Sequence, residues 1–286
     1  MSPLLGPAEI RDLAAMLDLT PTKKLGQNFV IDGNTVRRIV AAAGVRAGET
    51  VVEIGPGLGS LTVALLDAGA TVVAVELDHR LARQLPVTVE AIAPGAPLTV
   101  IAADAMTIRD LPHDPGVLVA NLPYNVSVPV LLHFLETFAS LTRGLVMVQA
   151  EVGERLAAGP GSKIYGSPSV KAAWYGAFSL AGKVSRQVFW PVPNVDSVLV
   201  RFERGTEPGT EEERRATFAL VDAAFGQRRK MLRQSLAERL GGSGAASAVL
   251  EAAGIAPTAR GEELTVADFL RIARVKPPTE AAIRLD

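Results

Sequence analysis

The sequence contains no cysteine. Disulfides, thiolate nucleophiles and cysteine-ligated zinc or iron–sulfur centres are excluded with it. Histidine is scarce too. His79, His113 and His133 lie far apart and in no ligand spacing, so no metal is expected. No run of about eighteen apolar residues occurs, and even Val72–Val75 meets Glu76 and Asp78 at once, so no membrane span is expected. The N-terminus carries Glu9 and Asp12 and lacks a cleavable export pattern. The expectation is a cytoplasmic, metal-free protein. A surplus of one charge is also missing: the net charge is −1, against a partner bound by a uniformly positive surface.

What is present is ordinary globular composition, 48% hydrophobic and 21% charged over 286 residues, enough for a main domain and a smaller one. Arginine (22) outnumbers lysine (7), and Arg228, Arg229, Lys230 and Arg233 crowd together. The planar guanidinium fork suits phosphate, although such a run also serves as a solvated helix face.

From Thr50 the chain alternates β-branched runs with helical patterns, as parallel sheets covered by helices do. Expected strands are Thr50–Ile54, Thr71–Glu76, Leu98–Ile101, Gly116–Ala120, Gly144–Gln149, Ala177–Val184 and Ser197–Phe202, with helices over Leu58–Ala68 and Val128–Phe138. Arg204–Glu213 reads as a linker. Beyond it helices are expected over Arg214–Phe225, Arg229–Leu240, Ala245–Ala253 and Val266–Arg274. The fold class is therefore α/β, a Rossmann-like sheet over residues 1–205, followed by a small helical domain over 206–286.

Glu53-Ile54-Gly55-Pro56-Gly57-Leu58-Gly59 follows the first of these strands, where glycines let the backbone turn sharply and approach a ligand. Glu76 ends the next strand, placed to accept from both ribose hydroxyls. Asp104 follows the third, at the rim where an adenine ring would lie. A dinucleotide fingerprint would put its third glycine at position 60, which is Ser60, and Glu53 would repel a pyrophosphate. Glu53 suits a ligand with a cationic sulfonium and an ammonium group, so S-adenosylmethionine is favoured over a nicotinamide dinucleotide.

Asn121-Leu122-Pro123-Tyr124 follows the fourth strand. An adenine amino nitrogen is a poor nucleophile because its lone pair is delocalised into the ring. Acceptors for both amino hydrogens would free that pair, and the Asn121 side-chain oxygen and Leu122 carbonyl can supply them. Pro123 stiffens the turn and has no amide hydrogen to compete. Tyr124 offers a face for the base. Positioning then carries the reaction, in keeping with the lack of a general-base constellation.

These motifs resemble the small-subunit (16S) ribosomal RNA adenine N6,N6-dimethyltransferases, the class I S-adenosylmethionine-dependent enzymes whose loss confers kasugamycin resistance. The likeness runs from Leu25-Gly26-Gln27-Asn28-Phe29 through Glu53–Gly59, Val75–Asp78, Asp104–Met106, Asn121–Ser127, Lys163–Val170 and Phe189–Ser197 to Phe225–Leu236. It implies that residues 1–49 cover the cofactor, and that Asn28, Val30, Gly55, Glu76, Asp104 and Asn121 contact it, beside Glu53 and Gly57 of the glycine turn. Phe189 would be the second aromatic against the target adenine, with core packing as the competing reading; Trp190 and Val192 depart from that loop's usual Thr and Pro. Arg228, Arg229, Lys230 and Arg233 would hold RNA phosphates, with Lys163 and Tyr165 weaker candidates, whereas Phe225, Met231 and Leu236 are expected in the core. The implied partner is small-subunit rRNA within an assembly intermediate, met by a monomer. Two rivals stand beside this reading: a large-subunit rRNA adenine methyltransferase of the antibiotic-resistance type, and a noncatalytic RNA-binding factor on the same scaffold.

Overall fold

The structure, a computed structural model, describes residues 4–19 and 28–275. Helix α1 (Pro7–Met16) starts on Pro7, whose missing amide costs nothing there, and Glu9 accepts from the Gly6 amide. Strand β1 (Phe29–Val30) leads to α2 (Gly33–Ala43), capped by the Asp32 carboxylate and closed by left-handed Gly44. There follow β2 (Thr50–Ile54), α3 (Ser60–Asp67), β3 (Thr71–Glu76), α4 (His79–Ile92), β4 (Leu98–Ala102), β5 (Val117–Asn121), α5 (Ser127–Thr137), β6 (Arg143–Gln149) and α6 (Ala150–Leu156). Next come α7 (Ser167–Tyr175), β7 (Gly176–Val184), β8 (Phe189–Trp190) and β9 (Ser197–Arg204). The chain finishes with α8 (Glu211–Gly226), the single-turn α9 (Leu232–Ser235) and α10 (Ala237–Leu240), α11 (Ser243–Ala252) and α12 (Val266–Arg274).

Seven strands form one sheet in the order β4-β3-β2-β5-β6-β9-β7. The five from β2 to β6 run parallel, and β9 lies antiparallel to β6 with Gln149 opposite Ser197. Strands β2, β3 and β5 are almost wholly buried, as expected of strands covered on both faces. The chain leaves β2 for β3 and β4 on one side and returns to β5 on the other. Ligands of open parallel sheets bind at such a reversal, outside the carboxyl ends of the strands. Strands β1 and β8 make a separate antiparallel pair.

The chain divides into two compact units. One holds the chain up to Glu154 together with Phe178–Arg204; the other holds Arg155–Ala177 and the chain from Gly205 onward. The break expected near residue 205 is present, but assigning all of 1–205 to the first domain needs correction. Residues 155–177 pack with the second unit: Val170 and Tyr165 share its core with Leu220, Val221, Leu236 and Phe269. The first unit's core is the sheet with α2 and α3, including Val36, Ile39, Leu65, Val72 and Leu145.

Three further expectations change. The helix expected over 229–240 is two single turns broken at Leu236, and Met231 ahead of them is extended. Leu232, Ser235 and Leu236 are all buried, so core anchoring fixes this stretch. The glycine turn reaches to Gly59, and α3 begins only at Ser60. Helix α4, which was not expected, runs through Pro86. Among the described residues no helix is long and apolar enough to cross a membrane.

Candidate active site

A cavity of about 420 Å³ opens at the carboxyl ends of β2, β3, β4 and β5. That is within the usual range for small-molecule sites, about 300–1,000 Å³. Its wall includes all eight residues expected at a cofactor: Asn28, Val30, Glu53, Gly55, Gly57, Glu76, Asp104 and Asn121. Gly26 and Gln27 of the same segment lie outside the described residues.

The floor is the turn after β2. Gly55, Gly57 and Gly59 have φ of +66°, +59° and +96°, a region that a Cβ disfavours. At Gly57 the crowding is steric as well, since a Cβ would stand 2.8 Å from the Phe29 ring. The Gly57 amide donates to Glu76 Oε2 at 3.0 Å and the Asp78 amide to Oε1 at 2.9 Å. Both Glu76 oxygens are thereby aimed, and each retains lone-pair capacity for a hydroxyl. Burial raises the Glu76 carboxyl above its ordinary range, and the two amides work against the rise.

Glu53 is fully enclosed and accepts from the Thr62 hydroxyl at 2.6 Å. Burial pushes its carboxyl up to about 8; the Thr62 bond opposes the shift and the Glu76 charge adds to it. A pH dependence follows for the protein without ligand. The unfolded chain releases this proton near 4.5, whereas the folded chain keeps it until about 8. The contribution is therefore fully present below 4.5 and is lost as pH rises through that window. Glu53→Gln keeps the Thr62 bond without a titrating group. It should flatten the fall in thermal stability between pH 5 and 8, an effect on the order of a few kcal/mol. Parallel melting curves for the two proteins across that range would contradict the assignment.

Asp104 is exposed at the rim and accepts from the Met106 amide at 2.8 Å, which fixes the loop after β4. At the end of β5, Asn121 Nδ2 donates to the Asn28 carbonyl at 2.9 Å. That bond sets the orientation of the amide. The other atom, Asn121 Oδ1, is buried and has no hydrogen-bond partner among the described residues. A buried acceptor left unpaired costs about 1–3 kcal/mol, so such a group invites a ligand donor.

The rest of the tetrapeptide divides. Pro123 lines the cavity, as do Asn125 and Val126 beyond it. Leu122 is buried, with its amide donating to the Met147 carbonyl at 3.1 Å. Tyr124 is half-buried and, like Leu122, does not line the cavity; its hydroxyl lies 2.6 Å from Ser197 Oγ.

The chain's likeness to known proteins fits this geometry. Residues 19–276 match the family model described as ribosomal RNA adenine dimethylase. This chain belongs to the ribosomal RNA adenine dimethylase family. A protein named ribosomal RNA small subunit methyltransferase A from Leifsonia xyli subsp. xyli is 70% identical, over 94% of this chain and 98% of its own. One of the same name from Streptomyces avermitilis is 60% identical, over 94% of this chain and 93% of its own. Among solved structures, the 23S rRNA methyltransferase ErmE superposes with a TM-score of 0.63 at 26% identity, covering 86% of this chain and 98% of its own. A dimethyladenosine transferase from Plasmodium falciparum shares the fold, with a TM-score of 0.70 at 23% identity, over 84% of this chain and 94% of its own.

Within this dimethylase, Phe189 is the clearest departure from expectation. Its ring is fully buried in the sheet core, and it does not line the cavity. Strand β8 pairs Phe189 with Val30 and Trp190 with Phe29, and alternation along the strand turns the two aromatics to opposite faces. Phe189 therefore takes the core face, and Trp190 stacks on Phe29 with ring centres 6.3 Å apart. In this conformation Phe189 offers a base no face, and the core-packing reading describes it.

The basic cluster also divides. Arg228 Nε donates to Glu262 Oε2 at 2.8 Å and an Nη to the Lys163 carbonyl at 2.7 Å, so this guanidinium ties its own unit together. Arg229 and Lys230 are exposed on the turn between α8 and α9, and Arg233 is half-exposed. Tyr165 is buried and donates to the Leu264 carbonyl at 2.8 Å, which removes it as a surface contact. Leu236 is in the core as expected and Phe225 packs against it, but Met231 is only half-buried. Arg228→Ala should lower the melting temperature, by about 1 kcal/mol of stability for a half-exposed pair with a backbone bond. Arg229→Ala and Lys230→Ala should leave it unchanged; a uniform response of all three would contradict this division.

Sequence reasoning passed over Phe29, whose ring crowds Gly57, and Ser60, whose hydroxyl donates to the Val30 carbonyl at 2.7 Å and ties β1 to the turn. It also gave Ser197 no role. No local pattern marks these residues, because each acts on a partner far away in sequence.

Proposed function

We propose that this chain transfers methyl groups from S-adenosylmethionine to N6 of two adjacent adenines in the 3′-terminal hairpin of small-subunit (16S) rRNA, two methyls on each. The observation that carries the reading is the buried Oδ1 of Asn121, unpaired among the described residues, in one cavity with Glu53 and Glu76. S-adenosylmethionine, when bound, supplies an electrophilic methyl group carried on a sulfonium.

The residues present fit that donor. Glu76, its oxygens aimed by two amides, accepts from the ribose hydroxyls, and Asp104 stands at the adenine rim. Glu53, which keeps its proton up to about 8 in the protein without ligand, meets the cationic end, whose charge favours its carboxylate form. Asn28, Val30, Gly55 and Gly57 shape the wall. Asn121 Oδ1 accepts one amino hydrogen of the target adenine and the Leu122 carbonyl accepts the other, which frees the nitrogen lone pair. Tyr124 stacks on the base, which is extruded from its helix or loop. A Phe189 face against the base requires β8 to shift from the arrangement described above. Arg229, Lys230 and Arg233 hold phosphates, with Arg228 bracing them from within.

The enzyme acts in the cytoplasm, as a monomer, on an assembly intermediate of the small subunit. With a net charge of −1 the chain needs a shaped surface as well as phosphate attraction. Immature small subunits should therefore be methylated much faster than protein-free rRNA, and equal rates on the two would refute that choice of substrate.

The large-subunit alternative has the ErmE likeness in its favour. Against it stands the much higher identity to proteins named for the small subunit. Incubation of the two purified subunits with labelled donor separates them: label in the small-subunit rRNA supports the proposal, and label in the large subunit overturns it. A noncatalytic factor would label neither.

A further inference from the structure

We infer that Ser197 is a positioning residue of the methyl-transfer site: its hydroxyl anchors the Tyr124 phenol and so holds the ring in the place a target base requires. The inference rests on the proposed stacking role of Tyr124.

The two side chains meet across 73 residues of sequence, with Tyr124 Oη 2.6 Å from Ser197 Oγ. Ser197 is fully buried at the first position of β9, opposite Gln149 in the ladder with β6. The residue before it is pinned twice. Its carbonyl accepts from the Ala150 amide and its carboxylate from the Arg186 amide, both at 3.0 Å. The anchor point is therefore part of the sheet and not of a loop. At its other end Tyr124 follows Pro123 and the Leu122 amide bond to β6. Its side chain is thus held at the backbone and at the hydroxyl.

Stacking itself does not use the hydroxyl, since a phenylalanine has the same face. The atom does, however, have a well-defined partner in the interior. Burial, and after it the Asp196 charge, raise the phenol above its ordinary range, while the Ser197 bond opposes the rise. The phenol stays neutral and can share a proton with another neutral hydroxyl. Small errors in placement are expensive in a reaction driven by alignment: a misplacement of about 1 Å can cost on the order of 100-fold in rate.

The test is a double-mutant cycle on small subunits lacking the modification, with Ser197→Ala, Tyr124→Phe and the combination. Each single change should lower kcat by about tenfold or somewhat more, with donor affinity by calorimetry unchanged. The combination should be no slower than Ser197→Ala alone, because Tyr124→Phe removes the hydroxyl that Ser197→Ala strands. Multiplying effects, or an unchanged kcat in Ser197→Ala, would overturn the inference. Melting temperatures and donor affinity distinguish a general loss of structure. Should Ser197→Ala be destabilised, a combination no slower than Ser197→Ala still supports the anchor, and a further loss by the Tyr124→Phe factor counts against it. Tyr124→Ala separates this idea from the reading beneath it. Full activity in Tyr124→Ala would sink the stacking role itself, whereas a dead Tyr124→Ala beside a normal Ser197→Ala would sink only the anchor.

Discussion

Replacing Asn121 by alanine should reduce methyl transfer by about 10²- to 10³-fold, the usual result of removing one preorganised polar group from a reacting centre. The side chain does two separable things. Nδ2 donates to the Asn28 carbonyl at 2.9 Å, and Oδ1 is buried without a partner among the described residues. The first belongs to the cavity wall, and the second is free for the amino group of a base. Asn121→Ala loses both, Asn121→Asp only the first. The aspartate variant keeps acceptor oxygens but sets a carboxylate against the Asn28 carbonyl. It should therefore retain more kcat than the alanine variant while binding the donor less well. RNA affinity should hardly change in either. Single-turnover rates with donor affinity measured in parallel check this, and an alanine variant as fast as wild type would remove Asn121 from the chemistry.

Replacing Gly57 by alanine should weaken donor binding by at least about tenfold. Two costs act together. The φ of +59° at this position strains any residue with a Cβ, by about 1–2 kcal/mol. The new methyl would also stand 2.8 Å from Cε1 of Phe29, so the ring or the turn must move. Movement of the turn displaces the Gly57 amide that aims Glu76 Oε2. One or two kcal/mol alone is a factor of about 5–30 in an equilibrium. Gly95→Ala is the control. It also has positive φ, but no atom of the described residues lies within 4 Å of its Cβ, and it does not line the cavity. Calorimetric titration with the donor should separate the two variants, and equal affinities would mean that the turn yields without consequence.

The parallel sheet was legible because its strands are short β-branched runs. From Thr50–Ile54 to Arg143–Gln149 the observed strands fall within about a residue of those expected. The cavity was legible for a related reason. Open parallel sheets gather ligand residues at strand ends, so residues dispersed from Glu53 to Asn121 fall in one place by strand order alone. Other features depend on distant contacts that carry no local mark. Pro86 reads as a helix breaker, yet α4 runs through it. Only packing with α8 and α12 reveals the unit of the stretch 155–177. Phe189 could serve a stack or a core; pairing with Val30 decides for the core. Arg228 looks like its neighbours until Glu262, 34 residues on, is found beside it.

The central claim is that this cavity brings an adenine amino nitrogen to a methyl donor on small-subunit rRNA. Its most direct test is to treat purified small subunits lacking the modification with labelled donor and map the methylated nucleotides. The account predicts N6,N6-dimethyladenosine at two adjacent positions near the 3′ end, four methyl groups per particle, formed about 10²- to 10³-fold more slowly with Asn121→Ala. Label on a ring nitrogen, on another base, or in the large subunit instead would contradict it.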